Sequence, residues 1–110
     1  MNRALIPDEK VEAAFDWLHA NADTVAEARA HRLYLIEYRK TLKARIMQQH
    51  ADLALTAQER EAYASPRYEE HLQGLKIAIE KDERLQFLKE TNLALIEAWR
   101  TAAANRRAQI

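Results

Sequence analysis

Cysteine is absent, which excludes disulfides, thiol catalysis and thiolate metal sites. Glycine occurs once and proline twice in 110 residues. β-Sheets turn on Gly, Asn and Asp, so a chain this poor in glycine is a bad candidate for strands joined by tight hairpins. A lone Gly74 cannot build a phosphate-cradling loop. No apolar run approaches the roughly 20 residues that a spanning helix requires. The apolar stretch ahead of Pro7 is too short for a secretory signal, so the expected location is the cytoplasm, away from membranes. Charge of one sign is missing too: 17 basic residues balance 17 acidic ones, whereas proteins that coat nucleic acid usually carry a basic excess.

What remains is rich in Ala, Leu, Glu, Arg and Gln, residues that favour helix. Apolar residues make up 48% and charged residues 31%, too apolar for disorder and too charged for a membrane protein. The expectation is an all-α single domain over residues 1–110, a long antiparallel helical hairpin with two short accessory helices, assembling into a helical bundle.

Four segments carry the pattern. The first, from about Pro7 to Ala20, places Pro7 near the first helical position and spaces Val11, Ala14, Phe15 and Leu18 along one face. Asp23 is a candidate cap for the second, from about Thr24 to Leu53, whose stripe is Ala28, Leu35, Leu42, Ile46 and Leu53. Thr56-Ala57-Gln58-Glu59 has capping-box form and predicts a short helix. Ser65-Pro66 opens the last helix, from about Pro66 to Ala104, with Ser65 capping and Pro66 at the first position. Its stripe is Tyr68, Leu72, Leu75, Ile79, Leu85, Leu88, Leu95, Trp99 and Ala102.

A short connection makes the two long helices antiparallel neighbours. With Leu53 beside Tyr68, Ile46 faces Leu75, Leu42 faces Ile79, and Leu35 faces Leu85 and Gln86. Arg39 then faces Asp82, and the two form the predicted structural ion pair. The same register sets Arg32 near Lys89, an unfavourable pairing. The first helix is expected to fold over the pair near Trp99, with Trp17 and Trp99 in the core. Apolar residues left off the seam, among them Leu33, Ile77, Phe87 and Leu93, point to an oligomer, most simply a homodimer.

Signals for chemistry are sparse. Among the four histidines only His50 and His71 fall opposite one another, with Glu70 alongside, and solvated or hydrogen-bonded histidines are the commoner reading. The acids of the last helix alternate with bases as on an exposed face, with Glu80 and Arg84 an i, i+4 pair. No nucleophile stands beside a base. The expectation is no enzyme, no cofactor and no metal. Basic clusters offer more. Lys40 and Lys43 share a helix face, and Arg100, Arg106 and Arg107 crowd the end of the chain beside Trp99, with Arg3 a further member. These five, Lys40, Lys43, Arg100, Arg106 and Arg107, are the candidate nucleic-acid or partner contacts, with exposed aromatics such as Trp17 or Tyr34 available to stack bases. Cations near a helix C-terminus are also simply favourable to its dipole.

The segments Tyr38-Arg39-Lys40-Thr41-Leu42-Lys43-Ala44, Glu59-Arg60-Glu61-Ala62-Tyr63-Ala64-Ser65-Pro66-Arg67-Tyr68 and Glu97-Ala98-Trp99-Arg100-Thr101 resemble small helical proteins of tailed bacteriophages and prophages. The resemblance spans residues 25–107, and the first helix departs from it. It implies phage origin, expression in a bacterial host, and a place among genes for replication and recombination. The group has no established activity, so no residue role carries over. The expected function is a non-enzymatic helical accessory protein acting by protein–protein interaction, in DNA replication or recombination. Its partners would be a second copy and a phage or host protein. Direct nucleic-acid binding and inhibition of a host defence protein are the alternatives.

Overall fold

The computed structural model describes residues 6–109. The described residues form four helices and no strand: α1 (Asp8–Ala20), α2 (Ala22–Gln49), α3 (Leu55–Ala64) and α4 (Pro66–Ala108). The all-α class and the pairing of two long helices agree with the sequence reading. No helix among the described residues is long and apolar enough to cross a membrane. The chain divides into two compact units, one of residues 27–82, the other of the residues up to 26 together with those from 83 onward.

In the 27–82 unit, α2 and α4 run antiparallel with α3 set between them in sequence. Leu42 and Ile46 of α2, Ala62 of α3 and Tyr68 of α4 form the buried core, with Tyr38 and Met47 packed against it. Ala62 is wholly buried, and its small side chain lets α3 approach the other two helices closely. Tyr63 and Tyr68 meet edge to face with ring centroids 5.3 Å apart, a favoured aromatic geometry. The connection out of α2 is tight: the His50 N–H donates to Met47 O at 3.0 Å and the Leu53 N–H to His50 O at 2.9 Å.

This geometry corrects the expected register. Asp82, buried on α4, accepts a hydrogen bond from Arg32 Nη1 at 3.2 Å. Arg39, the expected partner, is exposed. It lies two turns further along α2, about 10.5 Å of rise from Arg32. Likewise Leu42 and Ile46 pack on Ala62 and Tyr68 rather than on Ile79 and Leu75. Leu53, expected beside Tyr68, is 38% exposed. The cause is α3. It carries Ala62 into the seam, so the chain re-enters beside Leu42 and Ile46 instead of beside the end of a longer α2. The slip also removes the awkward placement of Arg32, because its guanidinium meets a carboxylate. An unpaired carboxylate at that depth would be costly.

The helix ends show what capping chemistry won. Ser65 behaves as expected: its Oγ accepts the Arg67 N–H at 3.2 Å, with Pro66 at the first position. The Thr56 capping box does not form. Helix α3 begins two residues earlier with Ala54 at its cap, and the Gln58 side chain donates to Leu53 O at 2.8 Å. Glu59 is drawn away to Lys43, at 3.7 Å. Asp23 lies inside the first turn of α2 rather than at its cap.

In the other unit, α1 buries Val11 and Ala14 and leaves Phe15 53% exposed. Pro7 stands one position before the helix, extended at ψ 142°, and its carbonyl accepts the Lys10 N–H at 3.1 Å. Trp99 Nε1 donates to Asp8 Oδ1 at 3.2 Å, so α1 does lie against α4 near Trp99. Both tryptophans are half-buried rather than core plugs. Asn21 ends α1 by donating both its backbone N–H and its side-chain amide to Trp17 O, each at 2.9 Å.

Candidate binding face

The cations singled out by the sequence are mostly neutralised in place. Lys40 pairs with Glu37 at 3.4 Å, and Arg100 with Glu97 at 3.3 Å, both one helical turn away and exposed. Such pairs contribute little to stability, about 0–1 kcal/mol, but they mask charge. Lys43 turns toward α3: its ammonium lies 4.8 Å from the Tyr63 ring centroid and 3.7 Å from Glu59. Its pKa is raised above the ordinary lysine value by hydrogen bonding to Tyr63, opposed by desolvation and assisted by the charge of Glu59. Lys43 therefore ties α3 to α2 while its side chain stays partly exposed.

The C-terminal arginines divide. Arg100 and Arg107 line a shallow concavity of about 350 Å³ with Glu97, Trp99 and Thr101. Arg106 is exposed in the last turn of α4. Arg3 lies outside the described residues. Lys40 and Lys43 belong to the 27–82 unit and the three C-terminal arginines to the other, so the five do not form one cluster within either unit.

Another set of residues does converge within the 27–82 unit, with Tyr34, Arg45 and Arg67 exposed. Tyr34, Tyr38 and Arg45 follow i, i+4, i+11 spacing and share one face of α2. The Tyr34 and Tyr38 rings stack, with centroids 5.9 Å apart and planes 20° from parallel. The His71 ring of α4 leans on Tyr38 at 5.7 Å. His71 Nε2 lies 2.8 Å from the carbonyl oxygen of Leu35. A carbonyl only accepts, so Nε2 carries the proton and the ring is fixed across the two helices. Arg45 Nη1 donates to the Tyr38 hydroxyl at 3.4 Å. Beyond it, Arg45, Gln48, Gln49 and Arg67 line a shallow notch of about 500 Å³. Neither Arg45 nor Arg67 forms a salt bridge to a carboxylate among the described residues.

Sequence reasoning had considered His50 and His71 as a metal pair. The Nε2 of His71 is instead committed to Leu35, and no three His, Asp or Glu side chains converge among the described residues. It had named Tyr34 for base stacking but missed the row with Tyr38 and Arg45, though the i, i+4, i+11 spacing was present, because Arg67 and His71 join it only through the tertiary pairing of α2 with α4. No family model, curated protein or solved structure matches this chain.

Proposed function

We propose that this chain is a non-enzymatic helical accessory protein that acts by protein–protein contact. Its first partner is a second copy of itself, and its second an unidentified phage or host protein in the cytoplasm of an infected bacterium. The observation that carries the reading is the apolar surface left uncovered. Phe87 is 69% exposed, Ile77 67% and Leu55 66%, while among the described residues Ile46 alone of the large side chains is below 2%. Scattered apolar residues are ordinary on a surface. Here they outnumber the large side chains the core encloses, and a helical partner is the simplest cover. The phage setting, with a role in replication or recombination, rests on the sequence resemblance. Inhibition of a host defence protein is the same physical activity with a different target.

The test is light scattering on the pure chain, followed by tagged purification from phage-infected cells. The expected result is a mass of two copies or more and a stoichiometric co-purifying protein, with one or both lost in Leu55→Ser or Phe87→Ser variants that retain their helical circular dichroism. A monomer that captures nothing overturns the reading. Direct nucleic-acid binding through Lys40, Lys43, Arg100, Arg106 and Arg107 has weaker support, because Lys40, Lys43 and Arg100 each meet a glutamate.

A further inference from the structure

We infer that the open face of the 27–82 unit is a weak contact site for single-stranded nucleic acid, two to three nucleotides long. This inference is independent of the partner-protein reading and can fail separately. Two guanidiniums line one notch, and no carboxylate lines it with them. The other two lining side chains are the carboxamides of Gln48 and Gln49, which donate hydrogen bonds without adding negative charge. Two forked cations around one opening match phosphate geometry. Glu37, the acid between Tyr34 and Tyr38 in sequence, is already held by Lys40.

The aromatic part decides the class of ligand. Tyr34 is 62% exposed, yet its ring is held by stacking on Tyr38, which is in turn braced by His71 and by Arg45. A braced, open aromatic ring is a platform for a base, and base–aromatic stacking tolerates any sequence. Eleven residues of helix separate Tyr34 from Arg45, about 16 Å, so a strand stacked on the ring reaches the notch after a few nucleotides. An acidic peptide would use the arginines but leave the tyrosine platform without a role. Duplex keeps its bases stacked inside and cannot use it at all.

The experiment is fluorescence anisotropy of the full chain with labelled oligo-dT and oligo-rU at several salt concentrations, with a duplex and a polyglutamate peptide as competitors. Two phosphate contacts predict a slope of log affinity against log salt of about −1.4, roughly a sevenfold loss from 50 to 200 mM salt. The Arg45→Gln, Arg67→Gln double variant should weaken binding at least tenfold. Tyr34→Ala should weaken it about fivefold or more, and Tyr34→Phe should leave it nearly unchanged, because stacking needs the ring and not the hydroxyl. All of these positions are exposed, so circular dichroism should match the parent, and Lys81→Gln, at an exposed α4 cation that the site does not use, serves as an off-site control. Binding of either strand type supports the site, and their ratio reports its backbone preference. No binding at low salt, equal competition by duplex or polyglutamate, or full retention of affinity in the double arginine variant would overturn it.

Discussion

The two compact units are held by different means. In the 27–82 unit three helices converge on Leu42, Ile46, Ala62 and Tyr68. A buried carboxylate, a histidine-to-carbonyl tie and a lysine laid against a tyrosine fix their register. In the other unit, α1 buries only Val11 and Ala14, and among the described residues the polar tie of α1 to α4 is one exposed contact from Trp99 to Asp8. The contrast shows what sets uniqueness in a chain with so little core. Apolar stripes bring helices together, but a few polar contacts of fixed geometry choose which residues face each other.

That contrast can be broken by mutation, and the largest effect should come from the tighter unit. Ile46→Ala is expected to destabilise by about 3 kcal/mol, from lost transfer energy and the cavity left behind. Val11→Ala should cost about 1–2 kcal/mol, since its surroundings collapse more easily. Urea unfolding followed by circular dichroism measures both. In hydrogen exchange, amides of α1 should open before those near Leu42 and Tyr68. Equal costs and equal protection would erase the distinction between the units.

The register is sharpened by comparing two arginines. Arg32→Ala leaves Asp82 short of its cation and should cost about 1–2 kcal/mol, below the full buried-pair penalty because the arginine itself is partly solvated. Arg39→Ala should stay within about 0.5 kcal/mol, as surface changes usually do. If Arg39→Ala proved the costlier change, the slipped register would be wrong.

A smaller effect of opposite sign is expected at Gly74. It sits inside α4, and a Cβ built there meets nothing within 4 Å. Gly74→Ala should therefore stabilise by about 0.5–1 kcal/mol, seen as a raised Tm. The least of the effects concerns pH. Lys43 has a raised pKa in the folded chain, so its stabilising contribution is fully present below the ordinary lysine value, near 10.4. It is lost as pH rises through the higher folded value. Chemical denaturation at pH 9 and at pH 11 should show a larger loss for the parent than for Lys43→Met, which lacks the ammonium.

Much of the architecture was legible in advance because helix propensity and apolar spacing are local. The scarcity of glycine, the capping Ser65 with Pro66, and the stripes around Leu42 and Tyr68 needed no knowledge of distant contacts. The Thr56 capping box misled because Glu59 had a better partner, Lys43, reachable only after folding. The charged candidates carried a warning of their own. Lys40 and Arg100 find glutamates one turn away, and those neighbours were readable in the sequence.

What the sequence by itself determined is the helical class, the places where helices begin near Pro7 and Pro66, and the faces that seek cover, since each depends on residues within a few turns of one another. Which carboxylate meets which guanidinium, and which aromatic row stays open to solvent, was decided by tertiary structure alone. A slip of two turns between paired helices keeps nearly the same apolar faces in contact while exchanging every polar partner, and only the insertion of α3 beside Ile46 selected one slip over the other.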